Sequence, residues 1–487
     1  MSAPLLLGID EGTTAVKAAL FDLELRCVAQ ARRPVPVEHP APGRVEQDPA
    51  LVLEAVMDSV AELLGRAGDR PVAAAGIAHQ GESVLAWDAD SGETLTQVIV
   101  WQDKRQEPLL AEIAPADVER SGLPLDPYFS AGRLAWLLRN DARVRSALDG
   151  GRLRLGTVDA YLTDRLGGRF ATDLSTASRT QLLATGGRDW DEQLLATFGI
   201  RRELLPDVGP TFGSLGELRC ARWPAPIALC AQLVDQQAAL AGSGAVGTGE
   251  LKATYGTGVF VLGRTSGVVA ASGLLPTVGW AGSGVGDAIG EIAYALEGGV
   301  FAAGSLLDWL AHGLGLAPDA RALAGLAATV ADSGGVMMLP ALAGLGAPWW
   351  RPGARGVISG LHPGVRPAHV ARAALEAIAW RVADIVAAFA EVAPVRGMRV
   401  DGGLTNDPTL LQIQADALGM PLLRGPADAT VLGSAMLAGV GAGVFGSVED
   451  AARLLPDGGV VSPGPAGEEH LAGRERWRAF VAASAAL

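Results

Sequence analysis

The sequence predicts an α/β protein built from two related domains, and three observations support this. The chain has 487 residues, more than one ordinary hydrophobic core holds, so two or three domains are expected. Predicted strands and helices alternate along both halves. Each half also contains a turn rich in glycine and threonine between two apolar strands, near residues 5–21 and 254–262. We expect domains at residues 1–246 and 247–487, joined near a glycine-rich connector at 242–249.

The first half opens with strands and continues with a helix whose start is well marked. Asp48 and Pro49 form a typical helix start, with a capping carboxylate followed by proline at the first helical position, so a helix is expected over about residues 48–65. Strands are expected at residues 4–10, 15–22, 25–33, 72–77, 83–87 and 98–102, with helical patterns over 104–150 and a βα segment near 156–159.

The second half repeats this opening from about Lys252. Helices are expected at residues 297–316, 367–391 and 408–418. A strand at 398–400 leads into Asp401.

Composition excludes several classes of function. The formal net charge of -14 disfavours a nucleic-acid partner. The three cysteines and six histidines show no spacing typical of a metal site, and so few cysteines favour a reducing cytosol. The longest apolar run near the C-terminus, residues 431–445, is too short and too rich in glycine to span a bilayer. No signal peptide is expected, because residues 1–4 lack a basic segment. We therefore expect a cytoplasmic protein without a membrane partner.

The two turns are candidate phosphate sites. They offer backbone N–H groups without an obstructing Cβ, together with hydroxyl donors, at Gly12, Thr13, Thr14, Gly256 and Thr257. Asp10 ends the first strand and is a candidate carboxylate for Mg²⁺ bound to a nucleotide. One such turn alone is as typical of a plain β-hairpin. Two matched turns favour a polyphosphate held between the domains.

Two further aspartates follow expected strands. Asp235 begins an apolar helix, where it is either a capping residue or a general base for a hydroxyl that attacks a phosphate, a role worth about 10²–10⁴ in rate. Both roles are compatible if one carboxylate oxygen remains free. Asp401-Gly402-Gly403 lies at a strand-to-helix junction, which is typical of a nucleotide site and of a tight βα turn.

One glycine motif does not predict a site. Residues 242–247, Gly-Ser-Gly-Ala-Val-Gly, match the dinucleotide fingerprint. They follow a helical pattern, and no amphipathic helix comes after them, so the context of a dinucleotide site is missing.

These motifs together resemble the FGGY carbohydrate kinases, and among them most closely the glycerol kinases. The resemblance covers about residues 4–447. It rests on Gly8-Ile9-Asp10-Glu11-Gly12-Thr13-Thr14, Val100-Trp101-Gln102-Asp103, Leu125-Asp126-Pro127-Tyr128-Phe129-Ser130, Ala177-Ser178-Arg179-Thr180, Asp235-Gln236-Gln237, Thr254-Tyr255-Gly256-Thr257-Gly258, Tyr294-Ala295-Leu296-Glu297-Gly298, Ala354-Arg355-Gly356 and Val400-Asp401-Gly402-Gly403.

The resemblance implies two actin-like (ribonuclease H-like) ATPase domains with a catalytic cleft between them, ATP and Mg²⁺ as cofactors, and a homodimer or homotetramer. It implies Asp235 as the catalytic base and Asp10 as the catalytic, metal-linked carboxylate. The implied ATP-binding residues are Gly12, Thr13, Thr14, Lys17, Gly256, Thr257, Gly304, Asp308, Gly402, Gly403 and Asp407. The implied substrate-binding residues are Gly81, Glu82, Trp101, Tyr128, Asp235, Gln236 and Phe260.

Several positions depart from the glycerol-kinase pattern. Gly81 stands where an arginine usually holds the glycerol hydroxyls, and Val234 replaces a glycine before the catalytic aspartate. Losing that charged donor should cost about 1.5–3 kcal/mol of binding if nothing replaces it. Lys17 replaces an arginine near the phosphates and keeps the charge but not the fork of donors. Asp308 and Asp407 replace glutamine and asparagine near the adenosine.

The resemblance therefore predicts phosphorylation of glycerol to glycerol 3-phosphate, with alternatives. The space at Gly81 favours a longer polyol or a ketose, such as erythritol, threitol or xylulose, unless an arginine from elsewhere replaces the missing one. A non-kinase alternative is an ATPase of the actin or chaperone kind, and a third is a sugar sensor without catalysis. Asp235 with Trp101, Tyr128 and Phe260 favours a small-molecule pocket over the ATPase. The retention of Asp10, Asp235 and both hairpins disfavours the sensor.

Overall fold

Two large mixed sheets form the centre of the computed structural model, which describes residues 3–456, 458–465 and 468–484. The strands of the first half are β1 (Leu5–Glu11), β2 (Ala15–Phe21), β3 (Cys27–Pro34), β4 (Glu46–Gln47), β5 (Val72–His79), β6 (Val84–Asp88), β7 (Val98–Ile99), β8 (Leu153–Thr157), β9 (Ala171–Asp173), β10 (Asp207–Gly209), β11 (Glu217–Leu218) and β12 (Ile227–Val234). Those of the second half are β13 (Glu250–Tyr255), β14 (Val259–Thr265), β15 (Leu275–Ser283), β16 (Ile289–Val300), β17 (Met337–Leu339), β18 (Val357–Ser359), β19 (Gly397–Asp401), β20 (Leu422–Arg424) and β21 (Val460–Val461).

Helices cover both sheets. They are α1 (Pro49–Ala67), α2 (Glu107–Leu110), α3 (Ser130–Asn140), α4 (Ala142–Asp149), α5 (Val158–Gly167), α6 (Leu174–Ala177), α7 (Glu192–Phe198), α8 (Asp235–Gly242), α9 (Gly304–Asp308), α10 (Ala320–Ala327), α11 (Pro367–Ala390), α12 (Pro408–Leu418), α13 (Ala429–Gly441), α14 (Val448–Ala452) and α15 (Glu468–Ser484). Among the described residues, no helix is both long enough and apolar enough to cross a bilayer.

The two sheets share one pattern of connections. The first has the strand order β3-β2-β1-β5-β12-β11, and the second repeats it as β16-β14-β13-β19-β20-β21, with β15 added beside β16. In each sheet the first three strands pair antiparallel with their neighbours. The third strand then pairs in parallel with the fourth, and the fourth in parallel with the fifth. The last strand is antiparallel to the fifth. The prediction of two related α/β units is confirmed, whereas the exact domain boundary stays a prediction.

Glycines bring α13 unusually close to the first sheet. A Cβ at Gly8 or Gly76 would lie 2.0 Å from a backbone oxygen of α13. A Cβ at Gly433 would lie 1.8 Å from the backbone oxygen of Ala238 in α8. A helix from late in the chain thus completes the packing of the first sheet, and it contributes Val431, Leu432 and Met436 to a buried core with that sheet.

Most expected elements are confirmed, and the helix at 297–316 is wrong in its first part. β16 continues to Val300, and helical structure begins only at Gly304. At the end of β16 successive side chains are all buried instead of alternating between buried and exposed. Such a continuous apolar run fits a buried strand and a buried helix equally well, so the sequence pattern does not distinguish them. The expected helical stretch at 104–150 is also broken, into α2, a 3₁₀ turn, α3 and α4. Residues 242–247 lie between α8 and β13, so the fingerprint does lack a preceding strand.

The contact between α13 and α8 gives a stability test. We expect Gly433→Ala to lower the free energy of unfolding by about 1–3 kcal/mol, because the added methyl group meets the α8 backbone rather than a movable side chain. Thermal and urea unfolding measure this. The matched control is Gly325→Ala in α10, where an added Cβ meets nothing within 4 Å. That change should stabilise by about 0.5–1 kcal/mol through helix propensity. Equal effects at the two positions would contradict the packing argument.

Candidate active site

The β1–β2 hairpin presents Asp10 opposite Lys17 in the strand register. Asp10 is half-buried. Burial, followed by the nearby charge of Asp235, raises the pKa of Asp10 to about 7, while Lys17 opposes the rise. This carboxylate lies within electrostatic reach of Asp235 and is short of positive charge, so a bound cation would be stabilised there. Its position and chemistry fit a metal-linked carboxylate.

Lys17 is engaged by a residue that the sequence reasoning missed. Its Nζ lies 2.7 Å from Oδ1 of Asp428, and both side chains are partly exposed. Asp428 occupies the N-cap position of α13 with a φ of 54°, in the left-handed region. A phosphate that reaches Lys17 must therefore compete with this carboxylate.

The turn after β1 is held by hydrogen bonds from two side chains elsewhere in the first half. Trp101 Nε1 donates to Thr13 Oγ1 at 3.0 Å, and Gln47 Nε2 donates to the carbonyl oxygen of Thr13 at 2.7 Å. Thr14 is exposed and Gly12 is half-buried. The predicted phosphate turn thus has a fixed backbone and an accessible tip.

The second hairpin, between β13 and β14, supports the start of α9. The carbonyl oxygen of Thr257 accepts from the N–H groups of Ala303 and Ser305, at 3.0 and 3.1 Å. Gly304 packs so closely that a Cβ there would lie 2.7 Å from the oxygen of Gly256. Gly256 and Thr257 remain exposed. Asp308 lies at the end of α9, also exposed.

The third predicted nucleotide segment follows β19 directly. Gly402 has a φ of +94°, and a Cβ there would lie 2.4 Å from the oxygen of Tyr255, so only glycine fits. Gly402 and Gly403 are exposed, and Asp401 is buried. Asp407 caps α12 by accepting from the N–H of Leu410 at 2.8 Å, which is a structural role in addition to the predicted one.

Asp235 occupies the first turn of α8, directly after β12. Its Oδ1 accepts from the N–H of Gln236 at 2.6 Å, and Oδ2 accepts no hydrogen bond from any residue that the structure describes. Burial raises the pKa of Asp235, whereas Lys252 and then His79 oppose the rise. The N-cap of α8 is Val234, without a side-chain cap, so the capping role predicted for Asp235 is wrong. One carboxylate oxygen is nevertheless tied and the other free, as the role of a general base requires.

An aromatic and acidic wall adjoins Asp235. The ring of Trp101 meets that of Tyr128 edge to face at 5.7 Å between centroids. Glu82 is buried, and burial raises its pKa to about 7 although Arg179, 2.9 Å away, opposes the rise. The charge of Asp235 reaches both Glu82 and Tyr128.

Two further predicted substrate residues border the second sheet. Gln236 accepts through Oε1 from Lys252 Nζ at 2.6 Å, which joins the two halves of the chain. Phe260 lies on β14 with its ring over Gly299 of the paired strand, and it is half-buried. Its placement puts an aromatic ring on the β14–β16 strand pair that also carries Glu297.

The space beside Gly81 is not open. A Cβ at Gly81 would lie 2.7 Å from Cγ1 of Val234, and both residues are buried. Gly81 and Val234, the two departures from the glycerol-kinase pattern, are therefore in contact. The valine side chain occupies the space that a side chain at position 81 would need.

Sequence reasoning assigned no role to three buried cations at this site. Arg133 donates to the backbone oxygens of Glu82, Trp101 and Tyr128, at 3.0, 2.6 and 2.8 Å. Arg179 bridges Glu82 and Glu297. Lys252 is fully buried within reach of Asp401, Asp235 and Glu297. Arg179 belongs to a motif that carries the family resemblance, but the sequence around Arg133, Arg179 and Lys252 does not identify their buried partners.

His79 has the hydrogen-bonding role expected for a buried histidine. Its Nε2 lies 2.8 Å from Thr176 Oγ1 and 3.6 Å from Asp159 Oδ1, and its Nδ1 lies 3.2 Å from the oxygen of Gln80.

Comparison with protein families gives a match over both halves of the chain. The N-terminal domain of the FGGY family of carbohydrate kinases matches residues 5–242, and the C-terminal domain of that family matches residues 251–442. The chain is 42% identical over 467 residues to a glycerol kinase of Citrifermentans bemidjiense, which covers 93% of each protein. It is 43% identical over 471 residues to a glycerol kinase of Thermus brockianus, which covers 93% of this chain and 94% of the relative.

Solved structures give the same architecture. The glycerol kinase of Plasmodium falciparum, crystallised with ADP, superposes with a TM-score of 0.91 at 28% identity and covers 99% of this chain and 98% of its own. A gluconate kinase from Lactobacillus acidophilus, at 21% identity and a TM-score of 0.89, shares the fold over 100% of this chain and 99% of its own.

The raised pKa values of Asp10 and Glu82 predict the pH dependence of stability. A carboxyl whose pKa is raised to about 7 by folding keeps its proton in the folded state at pH values where the unfolded chain has lost it. The unliganded protein should therefore lose stability as the pH rises from about 4 to 7, and then level off. Thermal unfolding across this range should show a smaller slope in Asp10→Asn and in Glu82→Gln. The control is Asp88→Asn, because hydrogen bonds lower the pKa of Asp88 and its contribution changes at more acidic pH. An unchanged slope in both site variants would contradict the assignment.

Proposed function

Because this chain belongs to the FGGY family of carbohydrate kinases, we propose that it transfers the γ-phosphoryl group of ATP to a terminal hydroxyl of glycerol, with Asp235 as the general base. Membership of a kinase family decides against a non-kinase ATPase of the actin or chaperone kind.

One observation carries the assignment of Asp235. Its Oδ1 is fixed by the N–H of Gln236, so Oδ2 is held in one direction with no competing donor among the described residues. Burial raises the pKa of this carboxylate, which makes it a stronger proton acceptor than an exposed aspartate. Its charge reaches Asp10, at the end of the strand that leads into the first hairpin, and Lys252, on the strand that leads into the second. These interactions support a base near the strands that lead into both predicted phosphate turns.

The proposed phosphate side consists of partly exposed turns. Gly12, Thr13 and Thr14 contribute one turn, Gly256 and Thr257 the other, and Gly402 and Gly403 a third segment directly after β19. Gly304, Asp308 and Asp407 are assigned to the same nucleotide. Lys17 adds a positive charge once the phosphates displace Asp428. Asp10 would hold Mg²⁺ through its carboxylate, directly or through water. The ion supplies positive charge to the phosphoryl group during transfer.

The polyol side combines rings with polar groups. Trp101, Tyr128 and Phe260 supply apolar surface for the carbon chain, and Glu82 and Gln236 supply hydrogen-bond partners for hydroxyls. Holding the attacking hydroxyl beside Asp235 and the phosphoryl donor contributes through proximity, and closing the cleft excludes water as a competing acceptor.

Val234 supports the small substrate over the larger one. The alternative of a longer polyol or a ketose depends on free space at Gly81, and the valine side chain occupies that space. A three-carbon polyol needs no such space. Assembly into a homodimer or a homotetramer stays a prediction.

Asp235→Asn tests the base. We expect kcat to fall by about 10²–10⁴, because the amide cannot accept the hydroxyl proton. The KM for ATP should stay nearly unchanged, and the melting temperature should not fall, because the substitution removes a charge that burial disfavours. Initial rates and thermal unfolding measure these effects. The control is Asp319→Asn, a helix-capping aspartate of α10, which should keep full activity. Full activity in Asp235→Asn would remove Asp235 from the mechanism.

A substrate panel tests the polyol. With glycerol, erythritol, threitol and xylulose assayed side by side by ADP release, glycerol should have the highest kcat/KM. Val234→Ala should raise kcat/KM for the four-carbon alditols relative to glycerol, because it opens the volume beside Gly81. Gly81→Ala should have the opposite effect, and the double variant should lie between the two. A wild-type preference for erythritol or xylulose would contradict glycerol as the substrate.

A further inference from the structure

A buried arginine next to Glu82 and Tyr128 joins the two halves of the chain. Arg179 lies in the turn after α6 and is 1% exposed. Its Nε donates to Glu82 Oε1 at 2.9 Å, and its Nη2 donates to Glu297 Oε1 at 3.0 Å. Glu82 belongs to the first half, whereas Glu297 lies on β16 of the second sheet. Both carboxylates are nearly inaccessible to solvent.

Arg179 lies beside the rings and the carboxylate of the proposed polyol site. Its guanidinium carbon lies 5.7 Å from the ring centroids of both Tyr128 and Phe129. Its third nitrogen, Nη1, is buried and has no hydrogen-bond partner among the described residues. We assign Glu82 to the polyol, so the hydrogen bond from Arg179 fixes the direction of a substrate-binding carboxylate.

Stability alone does not explain this arrangement. Buried ion pairs seldom contribute more to stability than well-packed apolar residues do, because both charges lose their hydration. Here two carboxylates share one guanidinium, which leaves the group of three with a net negative charge. A fixed direction for Glu82 is a function that apolar packing could not supply.

We propose that Arg179 is a positioning residue that directs Glu82 toward the polyol and, through Glu297, makes polyol affinity depend on how the second half sits against the first. This inference rests on the proposed function, in which Glu82 contacts the polyol. Glu297 lies on β16, which pairs with β14, and β14 is the second strand of the hairpin that carries Gly256 and Thr257. The same strands therefore connect the proposed nucleotide site at that hairpin with the proposed polyol site at Glu82. Polyol and nucleotide should then increase each other's affinity by the same factor.

Three substitutions separate positioning from general stability. Arg179→Met removes the guanidinium, and it should raise the glycerol KM at least tenfold, while the affinity for the ATP analogue measured without glycerol changes little. Arg179→Lys keeps one donor and should restore part of the affinity. Glu297→Gln keeps a neutral contact to Arg179 while removing the charge from the second half. It should reduce the factor by which glycerol tightens binding of a non-hydrolysable ATP analogue, measured by calorimetry with and without glycerol.

Arg381→Met is the matched control. Arg381 is equally buried and pairs with Asp384 at 3.1 Å, entirely within the second half. Its loss should lower the melting temperature without changing the glycerol KM or the coupling factor. If Arg179→Met behaves like this control, with a lower melting temperature and an unchanged glycerol KM, the positioning role is overturned. An unchanged coupling factor in Glu297→Gln overturns the link between halves, even if Arg179→Met does not fold.

The pH profile gives a readout that a purely structural role would not change. The charged and titratable groups that face Glu82 are Arg179, Glu297, Asp235, Tyr128 and Arg133. Arg179 is the group that most lowers the pKa of Glu82. The acidic limb of the pH profile is the range in which kcat/KM for glycerol rises with pH. In Arg179→Lys this limb should keep its wild-type position, because a positive charge remains beside Glu82. In Arg179→Met it should move to higher pH, because the pKa of Glu82 is no longer lowered. An unmoved limb in Arg179→Met would contradict the proposal.

Failure of the wild-type enzyme to phosphorylate glycerol would instead contradict the proposed function itself, so the two failures are distinguishable.

Discussion

Three carboxylates in the proposed cleft are buried or half-buried with too few positive charges around them to balance their own. Asp10, Glu82 and Asp235 all have raised pKa values, with burial as the largest cause. The buried cations Arg179 and Lys252 offset only part of this cost. Burying charge without full compensation is unfavourable, so such a site is stabilised when a ligand brings the missing charge. A nucleotide that carries Mg²⁺ would do this, and the same shortage keeps the proton affinity of Asp235 high.

The repeated sheet explains why these groups meet. Asp10, the segment from His79 to Glu82, and Asp235 lie at or directly after the carboxyl ends of the parallel strands β1, β5 and β12. In the second sheet, Gly256 and Gly402 follow the carboxyl ends of the parallel strands β13 and β19. Ligands of open α/β sheets bind outside these ends. Duplicating one sheet pattern therefore supplies two edges that can face a ligand, one in each half of the chain. In the proposed function the first edge takes the polyol and part of the phosphates, and the second takes the nucleotide.

Local chemistry made part of this predictable. The hairpins, Asp10 and Asp235 stand out in the sequence because a strand, a turn residue and a carboxylate follow one another within a few positions. The contact between Arg179 and Glu297 does not, because the two residues are 118 positions apart and only tertiary structure brings them within 3.0 Å. The expected space at Gly81 failed for the same reason: its neighbour Val234 is distant in sequence, and its side chain fills the volume. The mistaken helix at 297–303 shows the limit of periodicity in a strand that is buried on both faces.

The central claim is geometric: both glycine-threonine hairpins contact one triphosphate, and Asp235 faces the acceptor hydroxyl. A crystal structure with glycerol and a non-hydrolysable ATP analogue tests it most directly. The account predicts that Thr14 and Thr257 both contact phosphate oxygens, with Asp235 Oδ2 within hydrogen-bond distance of a terminal glycerol hydroxyl that points at the γ-phosphorus. A nucleotide bound by one hairpin alone, or an Asp235 side chain remote from the γ-phosphorus, would contradict it.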